Sequence, residues 1–206
     1  MSVTNNVSTS LLEFIGSSLW GFKPNLMKDI VGQNGGISSV AWFARNMPTY
    51  ERILKDWGPI RTHLLASEIS VLNGCPYCTY GHMYAMQLHY LQINDTVMSV
   101  SEDEFVAWHS LEEIEKIKKI RTFLKDHHLI TEIPLFDRML ELKAGNGPSD
   151  SKDDGYISHL IQMFAYLNTC GIVGETESDQ AHDPINQDEV LKARYAQLRG
   201  QSGPTA

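Results

Sequence analysis

Residues 73–85, "NGCPYCTYGHMYA", hold two of the chain's three cysteines and a histidine. Two thiols three apart, with an imidazole four further on, can bind a metal, close a structural disulfide or carry out redox chemistry. Asn73-Gly74 suits the left-handed cap that ends a preceding helix. Cys75 then takes the N-cap position and Pro76 the first helical position, where its missing N–H costs nothing. Both thiols therefore lie in a first helical turn, near unsatisfied N–H groups and the positive end of the helix dipole. That field favours thiolate. Cys75 and Cys78 share one face, so their sulfurs can bond with little backbone movement. His82 lies one turn further along that face, where it can take a proton from Cys78 or, once protonated, stabilise its thiolate. The local geometry is that of a reactive dithiol with its own base.

Other chemistries fit less well. Covalent haem attachment needs histidine directly after the second cysteine, and Thr79 stands there. Structural zinc needs four ligands, usually as two pairs. Cys170 or His63 can supply a fourth ligand, but there is no second pair, so we expect neither metal nor cofactor. Cys170 reads as a small buried residue. His89, His109, His127, His128, His159 and His182 show no partner spacing and read as structural or solvated.

The elements that must position these groups read as helical nearly throughout. Apolar residues recur at helical spacing in 9–20 and then break at "GFKPN". Two short helices are expected on either side of Pro48. A helix from Pro59 to the stop at Gly74 precedes the Cys75 helix. Ser101 and Ser110 read as N-caps of the next two, the second with Glu113 three residues later. "PLFDRMLELKAG" and "DDGYISHLIQMFAYLNTCGIVG" follow, joined by a mobile loop over 145–155. The only strand candidate is "HHLITEIPLF", and Pro134 argues against it. We therefore expect one all-α domain over 1–175. Residues 176–206 read as a polar extension with one further helix, "NQDEVLKARYAQL", and a fraying "GQSGPTA" tail.

Composition narrows the partners. The net charge of −8 argues against nucleic acid. No window approaches the roughly 18 apolar residues of a membrane span. The first lysine is Lys23, and Glu13 interrupts "LLEFIG", so no cleaved signal is expected. Three cysteines are an odd set, unlike a secreted disulfide framework, which points to a reducing, cytoplasmic setting.

"LLASEISVLNGCPYCTYGH" resembles the signature of the alkylhydroperoxidase D-like proteins within the carboxymuconolactone decarboxylase superfamily. "ARNMPTYERILKDWGPIRTHLL" resembles the helices before that signature, and "MFAYLNTCGIVG" a late helix of the peroxidase-related branch. The clear likeness covers about 40–95. It implies an all-α fold assembled as a homo-oligomer, a trimer or a hexamer. It also implies a dithiol that reduces hydroperoxides or disulfides and is regenerated by a dithiol or lipoyl-type reductant. In that pattern Cys78 attacks peroxide, while Cys75, the more exposed, resolves the sulfenate, and His82 belongs to a proton relay. The pattern's usual glutamate, 12 residues before the first cysteine, is His63 here. The residue between the cysteines that is often histidine is Tyr77.

Glu68 stands out without the resemblance. On a helical projection it falls near the centre of a stripe of Leu64, Leu65, Ile69, Val71 and Leu72, where a carboxylate must be paired, protonated or functional. His63 falls on the other side with Ser67 and Ser70, as a surface histidine or as the relay partner. Position favours His63 as the group next to His82, with Glu68 as a buried, hydrogen-bonded support. The expected catalytic set is thus Cys75, Cys78, His82, His63 and Glu68. A redox-sensing or metal-binding interaction protein is the alternative.

Overall fold

A computed structural model describes residues 2–147 and 151–200. The described residues form ten α-helices and no strand: α1 (Val3–Trp20), α2 (Leu26–Asn34), α3 (Gly36–Trp57), α4 (Pro59–Asn73), α5 (Pro76–Asn94), α6 (Glu102–Ala107), α7 (Glu113–Asp126), α8 (Ile133–Lys143), α9 (Lys152–Val173) and α10 (Glu189–Leu198). The chain is all-α, and no helix among the described residues is long and apolar enough to cross a membrane.

The centre is the pair α4–α5. Gly74, at φ 81°, ends α4 in the left-handed conformation, and Cys75 caps α5 with an extended backbone, so the reversal takes two residues. α9 packs on both helices, and α2 and α3 pack in turn on α9. Every residue of α4 from Thr62 to Val71 is buried. This removes the surface side assigned to His63. A helix enclosed on all sides need not be amphipathic, so its apolar stripe does not mark the buried face. Ser67 and Ser70 are buried with it; Ser67 Oγ donates to the Leu64 carbonyl at 2.7 Å and Ser70 Oγ to Asn168 Oδ1 at 3.2 Å.

Several boundaries differ from the sequence reading. α3 continues unbroken through Pro48, where two short helices were expected. Proline forfeits one intrahelical bond, but α3 packs on α1, α4 and α9, and this tertiary contact keeps it whole. α1 begins at Val3, where Ser2 Oγ accepts from the Asn5 N–H, and α2 is a helix that the sequence did not suggest. Ser101 caps α6 as expected, accepting from the Glu104 N–H. Ser110 does not cap α7, because its hydroxyl donates back to the Ala107 carbonyl in a tight turn and Glu112 takes that place. The strand candidate is a turn leading into α8, with Pro134 in its first turn. Of the loop expected over 145–155, residues 152–155 are the first turn of α9, which Ser151 caps, and 148–150 lie outside the described residues. The expected fraying falls on 201–206, also outside them.

The segment after Glu175 is the element that most affects the site. It crosses the start of α5, where the His182 N–H donates to the Gly81 carbonyl at 3.1 Å. Asn186 and Gln187 tie it to the end of α1 through the Trp20 and Leu19 carbonyls, each at 2.8 Å. α10 then buries Tyr195 against Ala85, Leu88 and Leu91 of α5.

Candidate active site

Cys75 and Cys78 are both buried, with relative exposures of 0% and 2%, and neither is in a disulfide. Cys75 is therefore not the more exposed thiol. It lies against Gly171 of α9, where an added Cβ would come within 2.9 Å of the Cys75 sulfur; a side chain there would push α9 off the dithiol. Cys78 faces an apolar cavity that it shares with His82, Trp20, Phe43, Met47 and Met163.

The two thiols differ sharply in acidity. The Cys78 thiol donates to the Cys75 sulfur, and the Cys78 and Tyr77 N–H groups of the helix start add to it, so Cys75 is lowered despite its burial. Burial, then the hydrogen bond and charge of Cys75, push Cys78 well above the ordinary thiol range. The first negative charge of the pair thus rests on Cys75, held by the helix terminus, while Cys78 keeps its proton.

Behind His82 the structure brings together residues far apart in sequence. His82 Nδ1 lies 2.9 Å from His63 Nδ1, and His63 Nε2 lies 2.9 Å from Asp183 Oδ2. The other carboxylate oxygen, Oδ1, accepts from His89 Nε2 at 3.0 Å and from the Ile185 N–H at 2.8 Å. Burial pushes the Asp183 carboxyl upward, but the hydrogen bonds from His63 and His89 overcome it and hold the group well below its usual range. Burial lowers His63, against the pull of Asp183, and lowers His82 further still. Both imidazoles are neutral at neutral pH.

These charges fix the proton positions. An ionised carboxylate only accepts, so His63 donates from Nε2 and presents a lone pair at Nδ1. His82 must then donate from Nδ1, which leaves its Nε2 unprotonated. The hydrogen-bond chain thus leaves an unprotonated imidazole nitrogen on the residue one helical turn from Cys78.

His182 and Asp179 complete the wall. Gly81 has no side chain to hold the His182 ring away; a Cβ there would lie well inside van der Waals contact with the ring. His182 stacks on Trp20 at 5.5 Å, meets His82 edge-on at 5.2 Å, and reaches Asp179 Oδ1 with its Nε2 at 3.1 Å. Tyr77, between the two cysteines, donates to Asp179 Oδ2 at 2.9 Å.

Of the residues expected from sequence, Cys75, Cys78, His82 and His63 come together. Glu68 does not join them. It is buried, its Oε1 has no hydrogen-bond partner, and burial followed by the nearby Glu132 charge raises its carboxyl well above the ordinary value. Burial favours its uncharged form, and it is not the hydrogen-bonded support expected. Asp183, His89, His182 and Asp179 were missed. The one local signal was the "HDP" order, which makes Asp183 a cap for the Pro184–Gln187 turn, and it caps that turn through the Ile185 N–H. That role says nothing about the partner on its other oxygen. Comparison of the chain with protein-family models, with curated proteins and with solved structures gives no match.

Proposed function

We propose that this chain is a thiol-dependent oxidoreductase whose Cys75–Cys78 couple reduces hydroperoxides, with an alkylhydroperoxidase D-like fold. One observation carries the reading: Cys78 and His82 line a common apolar cavity, and His82 is backed by the His63–Asp183 chain. A peroxide in the cavity meets Cys78 first. His82 Nε2 takes the Cys78 proton, and the sulfur attacks the near peroxide oxygen. The O–O bond breaks, Cys78 becomes a sulfenic acid through two-electron oxidation, and the departing alkoxide receives the proton back from His82. The Cys75 thiolate then attacks the Cys78 sulfur, the S–S bond forms and hydroxide leaves, taking a proton from solvent to become water. A dithiol donor, of lipoyl type by the resemblance, returns the pair to two thiols by exchange.

The cavity favours peroxides with an apolar body. It adjoins a surface groove between α1 and α3, lined by Leu12, Ile15, Leu19 and Val40, and the two share Trp20, Met27, Phe43 and Met47. Assembly as a trimer or hexamer is part of the same proposal. It is supported by the apolar face that α1 exposes through Val3, Val7, Leu11 and Phe14, and light scattering that shows a monomer at micromolar concentration removes it.

Steady-state turnover with several peroxides and dithiol donors tests the function. We expect catalytic turnover, higher kcat/KM for bulky organic hydroperoxides than for hydrogen peroxide, and none in Cys78→Ser. Full burial of Cys75 favours a second reading, a redox sensor whose disulfide no large reductant reaches. Such a protein consumes one peroxide per chain and stops.

A further inference from the structure

His63, His89 and Asp183 each offer a ligand atom, and the three atoms lie within 4.8 Å of one another. They come from α4, α5 and the segment after Glu175, so the tertiary fold sets their spacing. The His63 and His89 rings are nearly parallel, 14° apart with centroids at 6.1 Å, and both aim Nε2 at the same carboxylate. His63 is sealed in, but the His89 side chain is 15% exposed and opens, with Asp183, onto a surface pocket bordered by Tyr50, Glu51 and His182. That pocket is an entry path and room for a water ligand.

We propose that His63, His89 and Asp183 form a binding site for a divalent cation of the zinc type, and that its occupation switches off the base at His82. Two imidazoles and a carboxylate, with a fourth position open to water, suit zinc and its neighbours better than magnesium or calcium. Bonds near 2.0 Å place tetrahedral donors about 3.3 Å apart, so the donors must close by about 1.5 Å at most. The acidic chain, at net −8, favours cation entry.

The link to the dithiol rests on the proton relay proposed above. A cation takes the lone pair of His63 Nε2, so His63 must carry its proton on Nδ1. That proton points at His82 Nδ1, 2.9 Å away. His82 then accepts at Nδ1 and carries its own proton on Nε2, the nitrogen that otherwise receives the Cys78 proton. No proton is gained or lost by the two rings; each moves from one nitrogen to the other. The occupied site therefore reverses the polarity of the relay without touching a cysteine.

The first test is zinc binding by the full chain carrying Cys75→Ser and Cys78→Ser, in competition with a chromophoric chelator. We expect one zinc per chain, and at least about 100-fold weaker binding after His89→Ala, since even the loss of a group supporting a ligand costs 10–100-fold. Circular dichroism reports whether the His89 variant is folded, and His89→Gln serves if it is not. Cobalt bound to the same double variant should show visible bands of nitrogen and oxygen ligation. No stoichiometric zinc, or zinc that binds equally well without His89, overturns the site. The second test is zinc-dependent alkylation of Cys78 in the chain with its cysteines intact. Zinc should slow it in a His89-dependent way. Zinc that binds through His89 yet leaves alkylation unchanged overturns the link to the relay and keeps the site. Failure to bind zinc, with alkylation still dependent on His82, overturns the site and keeps the relay.

Discussion

Asp183→Asn separates the relay from simple packing, because the two carboxylate oxygens do not have equivalent partners. Oδ1 accepts from both the Ile185 N–H and His89, whereas Oδ2 accepts from His63 alone. A replacement amide has one oxygen and one NH2 group. A backbone N–H cannot become an acceptor, so the amide oxygen must occupy the Oδ1 position and its NH2 must face His63. His63 Nε2 then accepts, its proton moves to Nδ1, and His82 ends with its proton on Nε2. The base is lost while each side chain stays in place. General-base contributions of 10²–10⁴-fold correspond to about 3–5 kcal/mol of barrier at 1.36 kcal/mol per tenfold. The assay is alkylation of Cys78 in a Cys75→Ser background, where only one thiol of the pair can report. We expect Asp183→Asn to slow it by about 10²-fold, close to the effect of His82→Ala, with circular dichroism unchanged. A folded Asp183→Asn protein that alkylates within twofold of its parent refutes the tautomer argument.

Other consequences follow from particular contacts. Gly81→Ala drives a methyl into the His182 ring; we expect a loss of about 1–3 kcal/mol, seen as a lower thermal midpoint and faster proteolytic cleavage after residue 175. Thiolate absorbance should show one ionisation below the ordinary cysteine value and the other two, from Cys78 and Cys170, above it; loss of the lower one in Cys78→Ser but not in Cys75→Ser would place the first charge on Cys78. Burial raises the Glu68 carboxyl, so its contribution to stability is fully present below the unfolded value near 4.5 and is lost as pH rises through the folded value. The loss amounts to about 1.4 kcal/mol per pH unit within that window. Glu68→Gln should remove this slope in pH-dependent denaturation and be no less stable than the parent at neutral pH; a large loss of stability there argues that the carboxylate is charged and paired.

The helical class, the turn at Gly74 and the seating of Cys75 and Pro76 were all legible in the sequence. They depend on interactions spanning a few residues: a glycine free to adopt positive φ, a proline with no N–H to lose, and thiols one turn apart. For the same reason Cys75, Cys78 and His82 could be named together, since a single helix start positions them. Which face of α4 was buried could not be read, because α5, α9 and their neighbours surround it. An apolar stripe marks the core only when the opposite face meets water. The path of α3 through Pro48 likewise depends on packing that a local rule does not see. The sequence reading of thiol acidity went the wrong way for a related reason: it let the imidazole one turn from Cys78 outweigh the helix terminus that both sulfurs share. Burial and the hydrogen bond between the sulfurs, which no local spacing encodes, lower Cys75 and raise Cys78 instead. Asp183 was the least legible of all. It lies 120 residues from His63, in a stretch whose composition announces only a turn. No local propensity encodes a hydrogen bond across that separation; it exists because Gly81 lets His182 sit flush on α5 and carries the next residue to the two histidines.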